Sequence, residues 1–121
     1  MKVLHIDDSP EICQLYSDMF MADNCSVESV NDGKKGLELV SKNNYDLILL
    51  DMCMPKYNGL NFLRDLKKTR PSELKKVVVV SVLTFKENHI QELLDFGIHS
   101  VEEKPSDFDS LLAIRRKILL K

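Results

Sequence analysis

Leu47-Ile48-Leu49-Leu50-Asp51 is the stretch whose reading decides the fold. Four successive apolar residues leave a strand with no polar face, so both of its faces need cover. Parallel sheets layered between helices contain such strands. Val77-Val78-Val79-Val80 repeats the pattern. Asp51 closes the first run, and an ordinary surface turn does not explain it well. A carboxylate set against a core needs partners.

Working outward, short apolar runs at Val3–Ile6, Val27–Val30 and, more weakly, Ser100–Glu102 read as three more strands. Segments of helical period lie between them. Ile12, Leu15, Tyr16, Met19 and Phe20 recur at helical spacing after a Ser9-Pro10 start, a capping side chain followed by proline in the first turn. Leu37 and Val40 mark a second helix beginning near Gly33. Leu60, Leu63 and Leu66 mark a third, ended by Pro71. Ile90, Leu93 and Leu94 mark a fourth, ended by Gly97. Phe108, Leu111, Leu112, Arg115 and Leu119 mark a fifth, with Ser106 and Asp109 as its capping pair. Five βα units in succession predict an α/β fold, a parallel sheet with right-handed crossovers and helices on both faces.

The 121 residues suit one domain spanning residues 1–121, with no linker and no room for an effector domain after the fifth helix. Hydrophobic residues make up 44 %, enough for a single core, and the net charge is −2 from 17 basic and 19 acidic residues. No basic excess points to direct nucleic-acid binding, and no apolar run is long enough to span a membrane. Cys13, Cys25 and Cys53 have no metal-ligand spacing and read as reduced thiols of a cytoplasmic protein. His5, His89 and His99 show no ligand spacing either, and His5 reads as a packed or edge histidine. Lys67, Lys68, Arg70, Lys75 and Lys76 read as a solvated basic face.

In an open α/β sheet, ligands bind beyond the carboxyl ends of the strands. Asp7 and Asp8 follow the first strand, Asp51 the third, Ser81 the fourth, and Lys104-Pro105 the fifth. Three carboxylates gathered at one edge repel one another unless a cation joins them. Hard oxygen ligands favour Mg2+, which is commonly shared with a phosphate. Lys104 adds a positive charge and Ser81 a hydroxyl. The set suits a phosphoryl group on Asp51, because phosphoryl transfer needs mainly positioning and charge neutralisation.

The whole chain resembles a response-regulator receiver domain of two-component signalling. The acidic pair Asp7-Asp8, the loop Asp51-Met52-Cys53-Met54-Pro55-Lys56-Tyr57-Asn58-Gly59 (D-x-x-M-P-x-x-x-G), Ser81-Val82-Leu83-Thr84, and Lys104-Pro105 match that family's motifs in order and spacing. The resemblance implies a flavodoxin-like (βα)5 sheet of order 2-1-3-4-5. It implies that Asp51 is the phosphoacceptor and that Mg2+ is held by Asp7, Asp8, Asp51 and the Cys53 backbone carbonyl. Ser81 would bond a phosphoryl oxygen, and Lys104 would pair with Asp51 or its phosphoryl group. The donor would be a sensor histidine kinase or phosphotransfer protein. The output face would comprise the fourth helix, fifth strand and fifth helix. Such a domain catalyses only its own phosphorylation and dephosphorylation.

Several positions depart from the family. Val82 stands where a small residue is usual. Cys53 and Leu83 place apolar groups where relatives flank the attacking water, which predicts slow dephosphorylation. Val101 replaces the aromatic residue that, with the Ser81 position, forms the family's switch, and Glu102 replaces an apolar residue. Two other readings compete. A degenerate receiver acting as an interaction scaffold is opposed by the complete set of site residues. A haloacid-dehalogenase-type phosphohydrolase needs a second aspartate where Cys53 stands.

Overall fold

The computed structural model describes residues 2–21, 25–52, 57–81 and 87–103, with the backbone alone at Met19, Phe20, Ser81, Glu87 and Glu103. Strands and helices alternate: β1 (Lys2–Ile6), α1 (Pro10–Met21), β2 (Ser26–Val30), α2 (Gly33–Lys42), β3 (Leu47–Leu50), α3 (Gly59–Thr69), a 3-10 turn (Pro71–Lys76), β4 (Val77–Ser81), α4 (Glu87–Leu94) and β5 (Ser100–Glu103). The expected fifth helix falls outside the described residues. All strand pairs are parallel, in the order β2-β1-β3-β4-β5. The chain runs outward from β1 to β2, then crosses back to β3, so strand order reverses between β1 and β3.

Side-chain alternation explains the all-apolar runs. Leu4, Ile6, Ile48, Leu50, Val77 and Val79 belong to one buried cluster. Val3, Leu47, Leu49, Val78 and Val80 belong to a second, on the other face. Successive strand residues point to opposite faces, so a sheet covered on both sides needs apolar residues at every position. The first cluster takes its helical cover from Val40 of α2, Phe62, Leu63 and Leu66 of α3, and Leu93 of α4. The three α3 residues are fully buried, each contributing about 1.5–3 kcal/mol through lost apolar surface. Tyr16 of α1 covers the second cluster. Leu15, expected on the same stripe, is 38 % exposed, because it lies about 100° around the helix from Tyr16.

Local signals set the helix ends. Ser9 Oγ accepts from Ile12 N at 3.4 Å ahead of Pro10. Asp32 accepts from Lys34 N at 2.8 Å at the start of α2, and Asn58 from Asn61 N at 3.0 Å at the start of α3. After α4, Gly97 takes a positive φ of 94° and donates to Leu94 O at 2.9 Å, a conformation that favours glycine.

Two expectations are corrected here. Ser81 is the last residue of β4, paired in register with Glu103, and does not follow the strand. The basic run around the end of α3 is only partly a solvated face. Pro71 ends α3 and opens a 3-10 turn that buries Glu73. Arg70 Nη2 and Lys76 Nζ approach the Glu73 carboxylate at 2.7 and 2.6 Å. Arg70 Nη1 also donates to Val40 O at 2.6 Å and Asn43 O at 3.3 Å, closing the end of α2. Lys67 Nζ stands 5.6 Å over the Phe96 ring. Charge composition alone does not reveal that one buried carboxylate recruits two of these cations.

Candidate functional site

The site grows from strand register. Ile6 of β1 is paired with Leu50 of β3, so the next residues, Asp7 and Asp51, leave adjacent strands side by side. Asp51 N donates to Ile6 O at 2.9 Å, and Asp7 N donates to Val30 O at 3.1 Å. Both backbones are thus held by the sheet to the last residue. By parity, Asp7 falls on the face of Val3 and His5, and Asp51 on the face of Leu47 and Leu49. That is the α1 face.

Asp7 is fully buried, Asp51 is 4 % exposed, and Asp8 is exposed. One carboxylate oxygen from each lies within 4.8 Å of the other two. The cluster sits at the reversal of strand order, where doubly wound sheets bind their ligands. Asp7 Oδ1 accepts from Ser9 N at 2.9 Å, which fixes the turn into α1. Cys13 Sγ donates to the Asp7 carbonyl at 3.4 Å.

Two polar side chains that sequence reasoning left as core packing form the floor. His5 is 2 % exposed, and its Nε2 lies 3.7 Å from Asp7 Oδ2. The Tyr16 ring lies 4.5 Å from the His5 ring, centroid to centroid. The Tyr16 hydroxyl is buried and makes no hydrogen bond among the described residues. Burial pushes its pKa well above the ordinary tyrosine range, and the charges of Asp7 and Asp51 push it further. The signal for Tyr16 was in the sequence: a tyrosine in a core stripe carries a hydroxyl that needs a destination. His5 was legible as buried from parity, but its approach to Asp7 depends on the turn after β1.

Gly59 approaches the backbone of Asp51 and Met52 closely. Gly59 N donates to Met52 O at 3.3 Å. A Cβ on Gly59 would stand 2.8 Å from Met52 Cα and 3.0 Å from Asp51 O, both backbone atoms. Gly59→Ala therefore has to shift the backbone that carries the carboxylate. Overpacking of this kind costs about 1–3 kcal/mol. Purified Gly59→Ala is expected to melt earlier than wild type; an unchanged melting midpoint would refute the contact.

Of the other expected site residues, Ser81 is placed by its backbone at the carboxyl end of β4. Val101 pairs with Val79 in register and packs, half-buried, against the first core cluster. Cys53, Val82, Leu83 and Lys104 lie outside the described residues.

A sequence model described as the response regulator receiver domain matches residues 3–116. The chain belongs to that family. The receiver domain is 31 % identical over 120 residues to the response regulator ArlR of Staphylococcus saprophyticus, covering 98 % of this chain and 52 % of the relative. It is 26 % identical over 116 residues to the transcriptional regulatory protein YclJ of Bacillus subtilis, covering 96 % of this chain and 48 % of that one. This receiver domain thus spans about half the length of the curated relatives it matches. Among solved structures, the Francisella response regulator 1452 receiver domain superposes with a TM-score of 0.80 at 30 % identity, covering 97 % of this chain and 94 % of that one. The chemotaxis response regulator CheY4 of Vibrio cholerae superposes with a TM-score of 0.84 at 25 % identity, covering 97 % of both chains. No helix among the described residues is long and apolar enough to cross a membrane.

Proposed function

We propose that this receiver domain is the phosphoacceptor of a two-component phosphorelay, taking a phosphoryl group onto Asp51 from a sensor histidine kinase or phosphotransfer protein in a Mg2+-dependent reaction. One observation carries the reading: three carboxylates, two of them buried, converge within 4.8 Å at the strand-order reversal. A protein gathers buried like charges at a cost, and a divalent cation offsets it. The residues fit the ion. Their oxygens are hard ligands, and one from each of the three carboxylates comes within 4.8 Å of the others.

Asp7, Asp8, Asp51 and the Cys53 backbone carbonyl would hold the Mg2+. When bound, the ion neutralises the carboxylates and withdraws charge from the phosphoryl oxygens. Asp51 supplies the nucleophile. One of its carboxylate oxygens forms the new O–P bond as the donor's N–P bond breaks, and that bond's electron pair stays on the imidazole nitrogen. The hydrogen bond from Asp51 N to Ile6 O holds the backbone that carries the nucleophile in place, while burial of the carboxylate excludes competing water. Ser81 donates its hydroxyl to a phosphoryl oxygen, and Lys104 pairs with the remaining charge. The apolar groups at Cys53 and Leu83 would leave hydrolytic water poorly oriented, so the phosphoryl group is lost slowly. Val101 has no ring to turn, so the output surface around α4 and β5 either responds to phosphorylation by another route or binds its partner constitutively.

The test is mass spectrometry of the purified chain with a small phosphodonor, with and without Mg2+. A gain of one phosphoryl group, dependent on Mg2+ and mapped to Asp51, is expected. No gain from any donor, a histidine kinase included, would leave the scaffold reading in its place.

A further inference from the structure

The sheet face under α1 carries one buried polar atom that the packing itself does not use. Tyr16 is 2 % exposed. It belongs to the cluster that holds Val3 of β1 and Leu47 and Leu49 of β3, and its ring lies against His5. Asp7 and Asp51 continue those two strands and fall on the same face, which places the Tyr16 ring below the two buried carboxylates. Its hydroxyl is sealed from solvent and makes no hydrogen bond among the described residues.

A buried hydroxyl without a partner costs stability. Phenylalanine would fill the same space against His5 and the cluster and avoid that cost. Packing alone thus gives no reason for the hydroxyl, but the carboxylates above it do. A phenol is a donor, and carboxylates are acceptors. Burial first, and then the charges of Asp7 and Asp51, keep the phenol protonated well past the ordinary tyrosine range, so it stays a donor. His5 Nε2, 3.7 Å from Asp7 Oδ2, lines the same floor. A donor and an acceptor too far apart for a direct bond are commonly joined by a buried water, provided that the surroundings are polar.

We propose that Tyr16 is a positioning residue for the cation site: its hydroxyl donates to the Asp7–Asp51 carboxylate pair through one buried water and holds both in the orientation that binds Mg2+. The inference rests on the proposed function for the ion.

The experiment is calorimetric titration of the purified chain with Mg2+, for wild type, Tyr16→Phe and Tyr45→Phe. Hydrogen-bond partners of metal-binding groups contribute about 10–100-fold in affinity. A partner that acts through water belongs at the low end, so Tyr16→Phe is expected to bind Mg2+ about tenfold more weakly. Tyr45→Phe is the control. It removes a hydroxyl bonded to Glu28 at 2.6 Å, on a residue that precedes β3 where Asp51 follows it, and should bind Mg2+ as wild type does. A tyrosine that only packs would move the melting midpoint of Tyr16→Phe without Mg2+ and leave its Mg2+ affinity alone. Should Tyr16→Phe fail to fold, carbon-13 NMR of the wild type decides. The Tyr16 Cζ resonance, assigned by elimination with Tyr45→Phe and Tyr57→Phe, is expected to move as Mg2+ is added, and a stationary resonance would overturn the inference. Wild-type affinity in folded Tyr16→Phe would also overturn the inference, and the inference alone. A wild-type protein that takes up no Mg2+ would overturn the proposed function and this inference with it.

Discussion

Asp51→Asn is expected to abolish phosphoryl uptake while leaving the fold intact. Asparagine has nearly the same shape, and the backbone bond from residue 51 to Ile6 O does not involve the side chain. What is lost is the anionic nucleophile and one of three charges in the cluster. A neutral amide does not form the acyl phosphate. Mg2+ affinity is expected to fall about tenfold, or about 1.4 kcal/mol. A melting experiment reads the same effect. At a Mg2+ concentration about one hundred times the wild-type Kd, binding stabilises wild type by about 2.7 kcal/mol, and a tenfold weaker variant by only about 1.4 kcal/mol. Modification of Asp51→Asn to the wild-type extent would move the acceptor elsewhere, with exposed Asp8 the next candidate.

Arg70→Ala is expected to cost about 2–4 kcal/mol of stability without touching the chemistry. The guanidinium satisfies two carbonyls at the end of α2 and the buried carboxylate of Glu73 at once. Its removal leaves Glu73 to Lys76 alone and strips partners from the α2 carbonyls. The loss should sit below the top of the range for a broken buried pair, because Lys76 Nζ remains 2.6 Å away. Arg70→Lys should recover little, since a single ammonium does not reproduce the planar fork that reaches these acceptors. Urea unfolding should show a lower midpoint with an unchanged slope. Below the transition, Mg2+-dependent modification of Asp51 should match wild type, because Arg70 precedes β4 at the far end of the strands. A midpoint within experimental error of wild type would remove the Arg70–Glu73 pair as a stabilising element.

How much was legible depends on whether a property is carried by neighbouring residues or by distant ones. Leu47–Leu50 and Val77–Val80 announced doubly covered strands because periodicity is local; the first was found at those residues and the second runs one residue further, to Ser81. Gly97 announced the end of α4 for the same reason. Asp7, Asp8 and Asp51 were legible as a group because residues following parallel strands emerge at one edge. The 3-10 turn at Pro71–Lys76 was missed, since proline marked the end of a helix and gave no sign of what came next. Arg70 was misread because its partners, Val40, Asn43 and Glu73, are scattered along the chain.

The chain's own order of residues was thus enough to specify a parallel α/β sheet, its two apolar faces and the acidic edge. Those follow from side-chain alternation, helical spacing and the direction of parallel strands, which act within a few residues or by simple rule. Folding supplied the rest: the 4.8 Å convergence of the carboxylates, the His5–Tyr16 floor beneath Asp7, the close approach of the Tyr57 ring to Gly33 and the bond of its hydroxyl to Asp65, and the burial of Glu73 between Arg70 and Lys76. Each depends on the register between strands and on how closely a helix backbone approaches a loop. Those distances emerge only when the two clusters pack against the sheet, because close packing across elements, and not the sequence of any one of them, fixes where a side chain ends.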